Sequence, residues 1–280
     1  MAAEILARDR SALAGNVFVV FQPAEELLSG AAAMLKDGAL DGVSPDVAFA
    51  VHMNNEQPVG TINLRSGPVM ASADRLELTV MGQGGHGAFP HLARDPVVAA
   101  AQVITALQTL VSREVPALRS AVVSITTLQA GTAFNIIPDR VEMTGTLRCY
   151  EREVREALLA GLRRTAENVA TGLRCAARVR NELLTPAVLN DPALTRLAWE
   201  VASGVVGETR VIEMERLMGA DDVAYFWEKV PGCYMFVGSA KTDGSPVGPH
   251  HSPTFEIDEG ALDIGLELLT RTVRRALGPR

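Results

Sequence analysis

Two textures of apolar residues alternate along this chain. In the opening "AAEILARDRSAL", Ile5, Leu6 and Leu13 fall roughly on one stripe at helical spacing, and Gly15 and Asn16 stop the helix ahead of "VFVVF". That run, residues 17–21, is continuously apolar and β-branched, the pattern of a parallel strand covered on both faces. "SGAAAMLKDGAL" then predicts a helix ended by Gly38, and "DVAFAVHM" predicts a second buried strand ending in His52. After Gly67 and Pro68 the texture changes. "DRLELTVMG" alternates Leu76, Leu78 and Val80 with polar residues, as a half-exposed antiparallel strand does.

The alternating region continues through a helix "DPVVAAAQVITALQTLVSR", strands "SAVVSITTLQA" and "DRVEMTGTLRCY", a helix "EREVREALLAGLRRTAENVAT" and a strand near "CAARVRNEL". The order β-α-β-β-α-β is that of a ferredoxin-like sandwich. From Pro186 the buried texture returns, with helices near 191–206 and 220–229, a strand "CYMFVGS" and an amphipathic terminal helix from Glu259. The predicted fold class is α/β, with a discontinuous catalytic domain at 1–70 and 185–280 interrupted by an inserted α+β domain at 71–184.

Composition narrows the partners. The 280 residues are 48% hydrophobic, enough for one large or two modest cores. A net charge of -7, without a Lys/Arg run, argues against nucleic acid or an anionic membrane surface and favours a small or neutral ligand. No apolar run reaches ~18 residues and the first ten are charged, which predicts neither signal peptide nor spanning helix and a cytoplasmic chain. Cys149, Cys175 and Cys233 are odd in number with no C-x-x-C spacing, as expected of reduced thiols.

The candidate chemistry lies at strand ends. Two predicted strands deliver Glu25/Glu26 and His52 to their carboxyl ends, where open α/β sheets bind ligands, and a late "GPHHSPTF" adds His250 and His251. Histidine and carboxylate are ordinary zinc or manganese ligands, and a catalytic metal needs a nearby base. Equally, Glu25 and Glu26 fit an acidic pair at a helix N-terminus, and His52 a satisfied core histidine. "GQGGHG" at 82–87 fits a dinucleotide fingerprint. The strand before it alternates, Pro90 and Pro96 delay the helix, and no acid stands ~20 residues on, so nucleotide binding is disfavoured.

The segments "VFVVFQPAEE", "AVHM", "GPVMASADRLELTVMGQGGHGAFPH", "AGTAFNIIPD", "GTLRCYEREVRE", "MGADDVAYF" and "HHSPTFEIDE" together resemble the amidohydrolase branch of the aminoacylase and hippurate hydrolase family, which includes plant auxin-conjugate hydrolases. The likeness runs nearly the whole length. It implies a zinc-peptidase-like catalytic domain with an inserted dimerisation (lid) domain, and two divalent metals, zinc or manganese. It also implies cleavage of N-acyl amino acids to an acid and an amino acid. By the same resemblance Glu25 is the general base, and Glu26, His52 and His251 are metal ligands. His86 stabilises the oxyanion of a partner subunit's site in a homodimer, and Asn135 and Arg148 hold the substrate's carbonyl or carboxylate. Read without the resemblance, Asn135 fits a turn residue and Arg148 an exposed strand residue. Asp221 and Asp222 stand where the family more often carries Glu-Asp.

One departure from the family pattern lies at the front. Family members carry a Cys-Gly-His-Asp-Gly-His segment, with a bridging cysteine and a histidine ligand, that this sequence lacks, so a truncated catalytic domain with incomplete metal sites is expected. Three readings follow: an impaired two-metal amidohydrolase, a one-metal hydrolase using Glu26, His52 and His251, or a non-catalytic dimerising remnant.

Overall fold

The computed structural model describes residues 1–243 and 248–278. The chain forms two compact units, one of residues 1–70, 188–217 and 221–280, the other of 71–187 and 218–220.

The first unit opens with α1 (Ala2–Arg8), whose Leu6 is buried, and continues to α2 (Gly30–Lys36). Three strands follow: β1 (Ala48–Pro58), β2 (Ile62–Leu64) and β3 (Gly67–Met70). The chain then builds the second unit from β4 (Ser72–Met81), a two-residue β5 (Gly85–His86), α3 (Pro96–Thr109), β6 (Ala121–Ala130), a two-residue β7 (Ile136–Ile137), β8 (Arg140–Cys149), α4 (Arg152–Gly172) and β9 (Ala176–Thr185). It returns through β10 (Val188–Asn190), α5 (Pro192–Val206), β11 (Val211–Glu213), a one-turn α6 (Ala224–Trp227), β12 (Gly232–Ala240) and α7 (Gly260–Leu277).

In the first unit a mixed sheet runs β1-β12-β2-β11, with β1 parallel to β12 and β12 antiparallel to β2. Strand β12 is buried on both faces, as its unbroken apolar run requires. Cys233, Met235 and Val237 face α5 and α7 through Leu194, Ala198, Ala202 and Leu268, while Tyr234 and Phe236 join a second cluster with Val69, Val188 and Val223. Helix α5 starts where Asp191 accepts from the amides of Ala193 and Leu194 ahead of Pro192 at its first position. This central strand carries β1, and with it His52, in fixed register: His52 lies beside Phe236.

The strand expected at 17–21 does not form. The segment is irregular, and Phe18, Val19 and Phe21 are 51%, 41% and 79% exposed. An apolar run becomes a strand only if a neighbour pairs its backbone groups, and no described strand pairs with this one. The helix expected at 220–229 is likewise shorter, reduced to Ala224–Trp227.

The second unit is an antiparallel sheet in the order β6-β8-β4-β9, with β4 and β8 central. Alternation along these strands sends Leu76, Leu78, Val80, Met143 and Leu147 to one face, where they pack on Val103 and Leu107 of α3 and Leu158 and Leu162 of α4. The opposite face is polar and presents Arg75, Glu77, Thr144, Thr146 and Arg148. One charge sits on the covered face: Asp74, fully buried, receives Nε and Nη2 of Arg155 at 2.6 Å each and Nδ2 of Asn181 at 3.0 Å. These bonds tie α4, β4 and β9 together, and the bidentate fork compensates the carboxylate's lost hydration.

Arg155→Ala strands that carboxylate with one amide partner. A loss of roughly 3–5 kcal/mol is expected from the lowered denaturation midpoint, and Asp74→Asn combined with Arg155→Ala should recover part of it.

Candidate active site

The two adjacent glutamates sit on a tight loop between Gln22 and α2. Glu25–Leu27 form a single 3-10 turn flanked by Ala24 (φ 53°) and Leu28 (φ 52°), both in the left-handed region that costs non-glycine residues on the order of 1 kcal/mol or more. Gly30 closes the loop against its own start: a Cβ there would lie 1.6 Å from the Pro23 carbonyl oxygen, so no other residue fits without moving backbone. Glu25 is half-buried and Glu26 is exposed. Burial raises the Glu25 carboxyl to about 7, helped by the charges of Asp221, Glu26 and Asp222 and opposed by His251.

Glu26 is met by His251, Oε2 to Nε2 at 2.8 Å. His251 stands at φ 64° on a loop closed by the Gly248 amide donating to the Thr254 carbonyl at 3.0 Å and by the Asn55 side-chain amide donating to the Gly248 carbonyl at 2.8 Å. His52 lies in the middle of β1, which runs on to Pro58 instead of ending at the histidine as expected, over Tyr234 and Phe236, with ring centroids 6.1 and 5.8 Å away. Its Nδ1 is 2.7 Å from the Met53 carbonyl, which can only accept, so in a neutral ring Nδ1 carries the hydrogen and Nε2 the lone pair. His250 packs between His52 and Phe255, at 5.8 and 4.8 Å, and burial with the two neighbouring histidines lowers its pKa.

Beneath these groups lie Asp221 and Asp222, both buried. Asp221 accepts from the Tyr234 hydroxyl at 2.5 Å and from the Val223 amide at 2.8 Å. Asp222 accepts from Gln22 Nε2 at 2.5 Å and the Ala31 amide at 2.8 Å. Sequence reasoning marked the acid pair but missed Gln22 and Tyr234. The signal for Tyr234 was its place in an otherwise apolar strand, where a buried hydroxyl needs a partner.

The second unit holds the other three candidates. His86 and Asn135 are neighbours on the short β5–β7 ribbon: His86 pairs Ile136, and the Gly87 amide donates to the Asn135 carbonyl at 2.8 Å. Both side chains are exposed. The Ala88 amide donates to His86 Nδ1 at 3.1 Å, so a neutral His86 presents Nε2 as its N–H donor. Arg148 lies on the polar sheet face, half-buried, its Nε donating to Thr146 Oγ1 at 3.0 Å, and burial lowers its pKa against the raising effect of Asp74. His91 lies in a short 3-10 turn beside Phe89.

A catalytic zinc takes three protein donors and one open position, and manganese generally takes more ligands. Glu26 and His251 supply two donors in contact. No group of three or more His, Cys, Asp or Glu side chains able to hold a metal ion gathers among the described residues, so His52 does not join them. The described residues therefore do not make up a complete metal site. No helix among the described residues is long and apolar enough to cross a membrane.

The fold agrees with the comparisons. The model of peptidase family M20/M25/M40 matches residues 1–275, and the chain belongs to that family of amide-bond hydrolases. N-acetylcysteine deacetylase of Bacillus subtilis (strain 168) is 40% identical over 262 residues, covering 94% of this chain and 67% of the relative. IAA-amino acid hydrolase ILR1-like 4 of Arabidopsis thaliana is 35% identical over 280 residues, 99% of this chain and 63% of the relative. A crystal structure from Bacillus subtilis, of a dinuclear metal binding peptidase of the M20 family, aligns with a TM-score of 0.82 at 35% identity over 99% of this chain and 69% of that one. The chain thus spans about two thirds of the length of the curated relatives it matches.

Gly30→Ala forces the loop open at Pro23. A loss of about 1–3 kcal/mol in a denaturant titration is expected, and an unchanged midpoint would show that the loop accommodates the methyl group.

Proposed function

We propose that this chain serves the hydrolysis of N-acyl amino acids to a carboxylic acid and an amino acid, with Glu25 as general base. The observation that carries the reading is the junction of half-buried Glu25 with the contacting Glu26–His251 pair, in a chain whose relatives are named for deacetylation of N-acetylcysteine and hydrolysis of IAA-amino acid conjugates.

In this mechanism a carboxylate oxygen of Glu25 takes a proton from water as the water oxygen attacks the acyl carbon, and the carbonyl π pair moves onto oxygen. The oxyanion accepts from His86 Nε2–H, supplied by the partner copy in a homodimer formed through the second unit, with Asn135 alongside it. Collapse breaks the C–N bond, and the proton held by Glu25 passes to the leaving nitrogen, returning Glu25 to carboxylate. Arg148 takes the amino acid's carboxylate through its two free guanidinium nitrogens. Glu26, His52 and His251 are the family-matched donors for zinc or manganese. The incomplete set predicts weak, substoichiometric metal binding. We place the activity in the cytoplasm.

That same incomplete set favours a second reading, a non-catalytic dimerising form of the fold. Chelator-sensitive release of amino acid from hippurate and N-acetyl amino acids, restored by zinc or manganese, separates the two; a soluble, folded dimer that releases nothing supports the second. Glu25→Gln should lower turnover on the order of 100-fold or more without changing metal content, and a variant that keeps its rate removes Glu25 from the role. Co-expressed Glu25→Gln and His86→Ala chains should regain activity that each lacks alone; persistent inactivity of the mixed dimer argues against a shared site.

A further inference from the structure

The loop bearing Glu25 and Glu26 does little to hold itself. Its internal bonds are the amides of Leu27 and Ser29 reaching the Ala24 carbonyl at 3.2 and 3.5 Å, and that of Leu28 reaching Glu25 at 2.7 Å, across two residues at positive φ. Helix α2, which follows, has Ser29 at its N-cap but takes no capping bond from that side chain. Its first amides need acceptors, and at Ala31, which is fully buried, water cannot supply one. The acceptor comes instead from 191 residues further along the chain, as Asp222 Oδ2. The other oxygen of the same carboxylate takes the Gln22 side-chain amide, on the far side of the glutamates. One buried group therefore grips the loop at both ends, and neither grip uses the groups that would meet a substrate. Asp221, next in chain, is engaged elsewhere, with Tyr234 and Val223.

We propose that Asp222 is a positioning residue for this site: it sets where Glu25 and Glu26 stand by bridging Gln22 and the N-terminus of α2, acting as a remote helix cap. The inference rests on the roles given above to those two glutamates. Asp222→Asn should preserve the bridge, because an amide can accept from Ala31 and donate to the Gln22 side-chain oxygen. Asp222→Ala should release both ends.

The test compares wild type, Asp222→Ala, Asp222→Asn and Gln22→Ala in the full chain. Amide exchange at Ala31, the ring resonances of His251, and kcat and KM on an N-acetyl amino acid are followed together. Asp222→Ala is expected to speed exchange at Ala31 roughly 10- to 100-fold, shift His251 towards the signature of an unpaired imidazole, and lower kcat with KM held, while β12 amides stay protected. Asp222→Asn should restore all three. The proposal is overturned if Asp222→Ala leaves Ala31 and His251 unchanged, or if Asp222→Asn is as damaged as the alanine variant. Should Asp222→Ala fail to fold, Gln22→Ala, which removes one grip only, must still move the His251 signal, and no movement overturns the proposal. A wild type that hydrolyses nothing defeats the proposed function, while exchange at Ala31 and the His251 signal still decide the positioning role.

Discussion

The hold of Asp222 on Gln22 and Ala31 is the constraint on which the acid–histidine junction depends. A loop with two residues at positive φ and a glycine pressed on a carbonyl is not the conformation its local sequence would choose. It persists because a fully buried carboxylate has nowhere better to place its lone pairs: leaving them unmatched costs more than the local strain. Strain at 24–28 and burial at 222 are thus one balance. That balance also half-buries Glu25 among other acids, and burial first, then the charges of Asp221, Glu26 and Asp222, raises its carboxyl to about 7.

The histidines are organised differently. His52 owes its place to a strand and an aromatic floor, whereas His251 sits on a loop secured by Asn55, itself three residues beyond His52 on β1. One strand thereby serves both rings, directly in one case and through a carbonyl in the other. In the second unit His86 and Asn135 belong to a ribbon only two pairs long, and their exposure suits side chains that reach outward rather than line an interior.

Much of the architecture was legible because burial writes itself into period. The two-residue alternation from Arg75 to Met81 and the unbroken run around Tyr234 marked one strand covered on one face and another covered on both. The same rule failed at 17–21, since apolarity reports what a segment would do with a partner, and a ladder also needs the partner's backbone. Among the site residues, Glu25, Glu26, His52 and His251 could be singled out by chemical type. Whether they meet could not: the Glu26–His251 contact joins segments far apart in sequence, and His52 stays outside it. Gln22 carried no signal, because an amide on a loop looks the same whether it is solvated or gripping a buried acid.

The alternation of β12 has one more consequence. Cys233, Met235 and Val237 face the helices while Tyr234 and Phe236 face the histidine side, and β1 is aligned to this strand residue by residue. Sliding β1 by a single residue would exchange its two faces and carry His52 under the helices, away from its aromatic floor. Burial already separates the two alignments, since Phe49, Val51 and Met53 pack on the helix-side core and only Ala50 joins the other cluster. The imidazole adds to that preference, since it would leave Tyr234 and Phe236 for an apolar helix-side core, so the residue that serves the site also supports the register of the sheet.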